Sequence, residues 1–416
     1  MVSSTPPRPL GLRLLNATGQ ALRASGLPLA RLDEASLLAR ASRRTGLDDF
    51  GDGAFREPFR RFLDALEHEA ALTLLGRLIA RADCLRLLEN RLRIVDTCRR
   101  HPEIEQQELR RPIFIVGLPR TGTTILHELL AQDPANRVPM TWEVMYPWPP
   151  PERATYRTDP RIAQVEKHFS GVDRLIPGFK AMHPMSAELP QECVALTAHD
   201  FASMLFSTTH RVPSYDDWLQ AADLRWVYAS HRRQLQYLQW RCPGARWVLK
   251  SPGHLWALDA LLAVYPDACV VQTHRDPLKV VASLASLVTL LRSMASDRID
   301  PCAIGAAWTA RLAEGLEKSM AVRARSLPAE TRIFDMHFGE FMRDEIGTVR
   351  RIYAHFDVPL GAEVEARMRR FLHANPAGKH GGHRYSLAAA GLDEAIERRR
   401  YAAYQARFGI PAEGGA

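Results

Sequence analysis

The chain has 416 residues, on a scale of roughly 150 per domain enough for two or three domains' worth of material. At 46% hydrophobic, 25% charged and 8% aromatic it sits on globular averages, which excludes disordered, collagenous and coiled-coil classes. The formal charge of +8 is a mild excess without a block of like charge, and it suits an anionic ligand. Basic residues alternate with acidic ones along the helices and form no stripe, so a nucleic-acid binder is the least favoured class.

Only six lysines occur (Lys167, Lys180, Lys250, Lys279, Lys318 and Lys379) against 49 arginines, so a lysine that remains marks a place where arginine does not serve. The six cysteines show no CxxC pair and read as buried free thiols of a reducing compartment. No stretch has the uninterrupted apolar core of a signal peptide, and none approaches the ~18 apolar residues of a membrane span. The expectation is a cytoplasmic protein without a transmembrane segment; a homo-oligomer stays open.

Residues 1–110 read as a helical N-terminal region, with apolar residues at three- and four-residue steps across 55–100. The character changes at Arg111-Pro112, where the β-branched run Ile113–Val116 ends at Gly117 and an amphipathic segment follows from Thr124 to Gln132. Similar strands are expected at Arg246–Lys250, Ala268–Thr273 and Thr331–Met336, each followed by a helical stretch. Strands alternating with helices predict a three-layer α/β/α fold around a parallel sheet. Residues 134–225, rich in Pro, Trp and His without clear periodicity, are expected to hold loops and substrate-facing segments.

Between the first strand and helix lies Gly117-Leu118-Pro119-Arg120-Thr121-Gly122-Thr123-Thr124, with the frame G-x-x-x-x-G-x-T. Such a loop exposes backbone N–H groups at a helix N-terminus, where dipole and open donors hold a phosphate-type anion. A Walker A loop has lysine after its second glycine; here that position is Thr123, which argues against a kinase or ATPase.

This P-loop-like segment resembles the 5′-phosphosulfate loop of the bacterial sulfotransferases, whose donor is 3′-phosphoadenosine 5′-phosphosulfate (PAPS). Other motifs of that family follow in order. HRDPLKVVAS (274–283) is similar to its 3′-phosphate motif, with Arg275 and Ser283 in the binding positions, and Leu249-Lys250-Ser251-Pro252 resembles the strand-end motif that supplies a catalytic lysine. FDMHFGEFMRDE (334–345) resembles the element lining the adenine site, with Phe338 where relatives often have tyrosine. GKHGGHRYSL (378–387), with Lys379, looks like the closing loop. The resemblance covers about 112–410 and implies a nucleotide-binding sulfotransferase domain over 111–416. It further implies PAPS as co-substrate, no metal, and a small-molecule or lipid-like acceptor bearing a hydroxyl or, second, an amine.

Chemistry assigns roles to these residues. Arg120, the amides of 120–124 and the hydroxyls of Thr121, Thr123 and Thr124 suit the 5′ end of the donor, with Gly122 letting the backbone approach. Arg275 suits a dianionic 3′-phosphate through paired N–H bonds. Lys250, a compact cation at a strand end, suits the bridging oxygen of the leaving group. The base that takes the acceptor's proton stays open among Glu143, His254, Glu188 and Glu192. Trp142, Tyr146 and Trp148 either line an acceptor pocket or pack a loop. His380 and His383 lack the further ligands a metal needs. Two other classes remain: a nucleotide kinase or NTPase with a degenerate P-loop, with Asp276 as a weak substitute for its magnesium ligand, and a nucleotide-binding protein that has lost catalysis.

Overall fold

Five strands form one parallel sheet, β1 (Ile113–Gly117), β2 (Asn136–Arg137), β3 (Arg246–Ser251), β4 (Cys269–His274) and β5 (Ile333–His337), in the order β2-β3-β1-β4-β5. This computed structural model describes residues 30–175, 185–325, 331–376 and 385–413, with Asn16 and Gly19. Ahead of the sheet run α1 (Glu34–Thr45), α2 (Arg56–His68) and α3 (Leu74–Arg100). After β1 comes α4 (Thr123–Leu130). Between β2 and β3 lie α5 (Thr141–Met145), α6 (Pro160–Leu175), α7 (Cys193–Thr197), α8 (Leu205–Thr209), α9 (Pro213–Ala221) and α10 (Arg225–Gln239). Strand β3 leads through a 3-10 turn (Pro252–Leu255) to α11 (Leu258–Val264), and β4 to α12 (Pro277–Ser293) and α13 (Pro301–Arg325). Past β5 stand α14 (Phe338–Phe341), α15 (Glu345–His355), α16 (Ala362–Ala374) and α17 (Glu394–Phe408).

The expected three-layer α/β arrangement is what the chain adopts. Alternation along the strands sends Phe114, Val116, Trp247, Leu249 and Val270 into one core. Ile113, Ile115, Val248, Cys269 and Val271 go to the other face, against Leu126, Leu129 and Leu130 of α4. Lys250 is two residues after Val248 and shares its face, so its stem is directed toward α4.

Two expectations change. Residues 134–225 are not mainly loops; they hold five described helices, of which α5, α7 and α8 have five residues each, too short to show a 3.6-residue period. Helix α13 is also not announced by the pattern, since its glycines lower helix propensity. They are contact points: a Cβ at Gly305 would lie 2.3 Å from the Ala390 carbonyl oxygen, and one at Gly315 2.6 Å from the Trp256 ring. Five cysteines are buried free thiols, but Cys302 is exposed.

Helices α1–α3 bury Leu37, Phe55, Phe59, Phe62, Leu66 and Leu88 against Phe201, Phe206, Val212 and Tyr215 of the β2–β3 crossover. Thr73 caps α3 and its N–H donates to the Ala295 carbonyl at 2.9 Å. Gly76 beside it is tight enough that a Cβ would meet the same oxygen at 2.0 Å. Among the described residues no helix is long and apolar enough to cross a membrane.

Among the described residues six histidines are buried, and four of them, His127, His199, His210 and His231, bear on stability here. His127 bonds the Val248 carbonyl, His199 bonds Asn90 and Gln234, and His231 bonds Tyr265. Burial lowers their pKa from the ordinary 6.5, to about 3 for His127 and His231 and about 4 for His199 and His210. Between pH 6.5 and 4 the unfolded chain binds protons there that the folded chain does not, so stability is full above 6.5 and falls as pH falls. Each group contributes roughly 1 kcal/mol per pH unit in that window. Thermal melts at fixed ionic strength are expected to drop steeply from pH 6.5 to 5; a flat profile would show that these histidines protonate in place.

Candidate active site

Parallel register aligns the ends of three strands. Val116 lies between Ser251 and Gln272, and Gly117 lies beside Thr273. Glycine is required at 117, because a Cβ there would come within 2.0 Å of Thr273 Oγ1. That hydroxyl meets Thr121 Oγ1 at 2.6 Å, and Thr121 Oγ1 donates to the Leu118 carbonyl at 2.7 Å. Thr121 is therefore a buried brace within the loop, its hydroxyl engaged by Thr273 and the Leu118 carbonyl. Arg120 (φ 65) and Gly122 (φ 85) are both left-handed and reverse the chain onto α4. Among the described residues no side chain caps α4, which leaves the amides of its first turn open to a ligand. Thr123 is buried in that turn, and the guanidinium-bearing Arg120 is exposed.

Arg275, just past β4, closes the loop from the other side. Its Nη1 donates to the Arg120 carbonyl at 2.9 Å and its guanidinium lies 4.0 Å from the Phe338 ring centroid. Phe338 in turn packs on Gly122, where a Cβ would approach the ring to 3.2 Å. The loop, Arg275 and Phe338 thus form one cluster. The remaining edge of Arg275 holds a carboxylate: Nε and Nη2 donate to the two oxygens of Glu413, each at 2.9 Å. Ser283 is buried on α12, and no hydrogen bond joins it to Arg275 among the described residues. Asp276 caps α12 at the Leu278 N–H and accepts from Arg398 (2.7 and 2.8 Å) and the Glu413 N–H (2.8 Å). Its oxygens are committed, which removes the acid a kinase reading would need.

Lys250, 3% exposed, has two side-chain partners among the described residues. Nζ donates to Thr124 Oγ1 at 3.1 Å and pairs with Glu192 Oε1 at 2.8 Å. Thr124 belongs to the anion loop and Glu192 precedes α7, so this lysine joins that loop to the β2–β3 crossover.

The other base candidates are placed elsewhere. Glu143 is fully buried in α5, with Oε1 accepting from Arg137, Tyr156 and the Met140 N–H and Oε2 from Arg137 at 2.7 Å. Its carboxylate neutralises Arg137, whose guanidinium also stacks over Tyr156 and Trp247. None of its bonds reaches Lys250. Glu188 is exposed. His254, 1% exposed, meets Tyr228 Oη through Nδ1 at 2.6 Å, while Nε2 has no partner among the described residues. Burial keeps its pKa well below 6.5, and burial keeps the Tyr228 phenol protonated. The phenol donates to Nδ1, leaving the imidazole proton on Nε2.

His254 lines a pocket of about 60 Å³ that begins beside the Lys250–Glu192 ion pair, at Cys193 next to Glu192 and at Ser251 next to Lys250. Its walls are mostly apolar, from Val194, Met204, Leu219, Leu224, Val227 and Trp256. Trp142, by contrast, is core, 1% exposed and covered by Arg161 at 4.6 Å; Tyr146 packs beside it and Trp148 is 44% exposed. Lys379, His380 and His383 lie outside the described residues. Glu413 and Arg137 were invisible to sequence reasoning, because neither stands in a motif and each takes its role from a residue distant in the chain.

Compared with known proteins, residues 112–362 match the model of the Sulfotransferase family. Sulfotransferase STF9 from Mycobacterium avium superposes with a TM-score of 0.86 at 32% identity, over 92% of this chain and 99% of that one. Sulfotransferase STF1 from Mycobacterium tuberculosis H37Rv gives 0.79 at 36% identity, over 89% and 98%. The omega-hydroxy-beta-dihydromenaquinone-9 sulfotransferase Stf3 of Mycobacterium bovis is 26% identical over 280 residues, 63% of this chain; the chain spans 66% of that relative's length. A glycine loop without the Walker lysine, matched across the sheet and its crossovers to these proteins, places the chain in the sulfotransferase family.

Proposed function

We propose that this protein transfers a sulfuryl group from PAPS to the hydroxyl of an apolar, small or lipid-like molecule, in the cytoplasm and without a metal. The observation that carries the reading is Lys250. It is a nearly buried cation within hydrogen-bond reach of both the anion loop (Thr124) and the carboxylate of Glu192. The donor's chemistry needs little more: its sulfuryl group carries little net charge in a loose transition state, while charge develops on the leaving 5′-phosphate.

The residues present fit such a donor. The uncapped first turn of α4 and Arg120 would hold the 5′ end, and Arg275 the 3′-phosphate, with Phe338 beside it for the adenine and Ser283 in the following helix. That Arg275 already grips a carboxylate with two parallel N–H bonds supports an anion there. Lys250 stabilises the leaving oxygen, and Glu192 becomes the favoured base. In the resting protein the two neutralise each other; once Lys250 turns to the leaving group, Glu192 is free to take the acceptor's proton. His254, neutral and with a donor-bearing Nε2, orients the acceptor rather than deprotonating it.

The apolar pocket supports the acceptor class, and so does the hydroxylated menaquinone derivative for which Stf3 is named. A sugar would leave its several hydroxyls unpaired against Val194, Leu224 and Val227, at about 1–3 kcal/mol for each.

Four measurements test this. Sulfation of medium-chain alcohols by PAPS is expected at full rate in EDTA, whereas magnesium-dependent ATP turnover with no binding of 3′,5′-adenosine bisphosphate would return the chain to the kinase class. Lys250→Met is expected to depress kcat by about 100-fold or more with donor affinity little changed; equal losses in both would make Lys250 a ground-state contact. Glu192→Gln is expected to remove the acidic limb of the pH–rate profile, and a variant that keeps the limb excludes Glu192. Glu143→Gln leaves Arg137 short of its counter-charge and is expected to cost about 3 kcal/mol of stability while the limb persists. Full stability with a lost limb would make Glu143 the base.

A further inference from the structure

Helix α17 ends at Gly409, whose φ of 61 reverses the chain. Ile410 then buries its side chain and donates its N–H to the Gln405 carbonyl at 3.0 Å. Only Pro411 and Ala412 separate this anchor from Glu413, and proline fixes its own φ. The Glu413 carboxylate is delivered to Arg275 with little slack, hence at high effective concentration.

Two attachments hold it. The Glu413 N–H donates to Asp276 Oδ2, and Asp276 is gripped by Arg398 of α17 itself. The carboxylate takes the Nε and Nη2 edge of Arg275. That edge is the one a phosphate would engage in the same paired fashion. Nη1 is occupied by the Arg120 carbonyl and the ring of Phe338 covers one face, so the edge accommodates one anion at a time.

We infer that the segment after α17 is an intramolecular competitor for the donor, with Glu413 standing on Arg275 in place of the 3′-phosphate. The inference rests on the reading of Arg275 as the 3′-phosphate contact. A dianionic phosphate outbids a single carboxylate for the guanidinium, and its charge then repels Glu413, so donor entry must displace the segment. Apparent affinity is lowered by the fraction of molecules in which Arg275 is open. The same competition acts on the product 3′,5′-adenosine bisphosphate, which keeps the 3′-phosphate, and hastens its release.

Calorimetry with 3′,5′-adenosine bisphosphate and with adenosine 5′-monophosphate, which lacks the 3′-phosphate, tests the inference in four forms: wild type, E413Q, R275A and the double variant. E413Q is expected to tighten bisphosphate binding about tenfold and slow its dissociation, to leave the monophosphate unchanged, and to have no effect on top of R275A. If R275A loses bisphosphate affinity while E413Q binds it as wild type or more weakly, the competitor is disproved and the donor site stands. If E413Q tightens both nucleotides alike, the segment acts by general charge and the inference is overturned. If R275A binds the bisphosphate as wild type does, the donor reading fails and the inference goes with it.

Discussion

Where β1 runs between β3 and β4, Gly117 lies so close to Thr273 that no side chain fits between them, and the Thr273 hydroxyl holds Thr121 in turn. This contact sets the level of the anion loop. It brings the loop's turn to the height at which β4 delivers Arg275 and β3 delivers Lys250, so three segments far apart in the chain meet over one helix N-terminus. Open α/β sheets gather ligand contacts at the carboxyl ends of strands flanking such a switch in strand order. Here the switch is the jump from β3 to β4 across β1.

Two cations at this edge share a design. Lys250 pairs with Glu192, and Arg275 with Glu413. A nearly buried ammonium left alone would be costly, so each charge the proposed chemistry requires is balanced at rest by a carboxylate. The pairs differ in reach. Glu192 stands ahead of a short helix beside the apolar pocket, where the proposed chemistry uses it as the base. Glu413 follows a reversed helix end and has a role only as the inferred competitor for Arg275.

The N-terminal helices contribute at one remove. Their aromatic residues share a core with Phe201, Phe206 and Tyr215, and Arg91 of α3 forms a buried pair with Asp200. The same crossover supplies Met204, Leu219 and Leu224 to the pocket wall. Packing of α1–α3 therefore bears on the shape of the pocket through a continuous apolar core rather than through contact with Lys250 or Glu192.

Much of the fold was legible in the sequence, since strand–glycine–helix units announce themselves through local periodicity and turn chemistry. Four strands, the anion loop, the absent Walker lysine and the strand-end placing of Lys250 and Arg275 all follow from residues close together in the chain. The short helices of 134–225 and β2 were not legible, being shorter than the period that would reveal them. Nor were the partners of charge. Glu143, Glu188 and Glu192 are alike as letters, yet one neutralises Arg137 in the core, one faces water and one reaches Lys250. By itself the sequence determined the class of fold and the kind of anion loop, because those rest on local backbone preference. Only the tertiary structure decided which carboxylate meets which cation, because a salt bridge depends on distances across the fold that no spacing along the chain encodes.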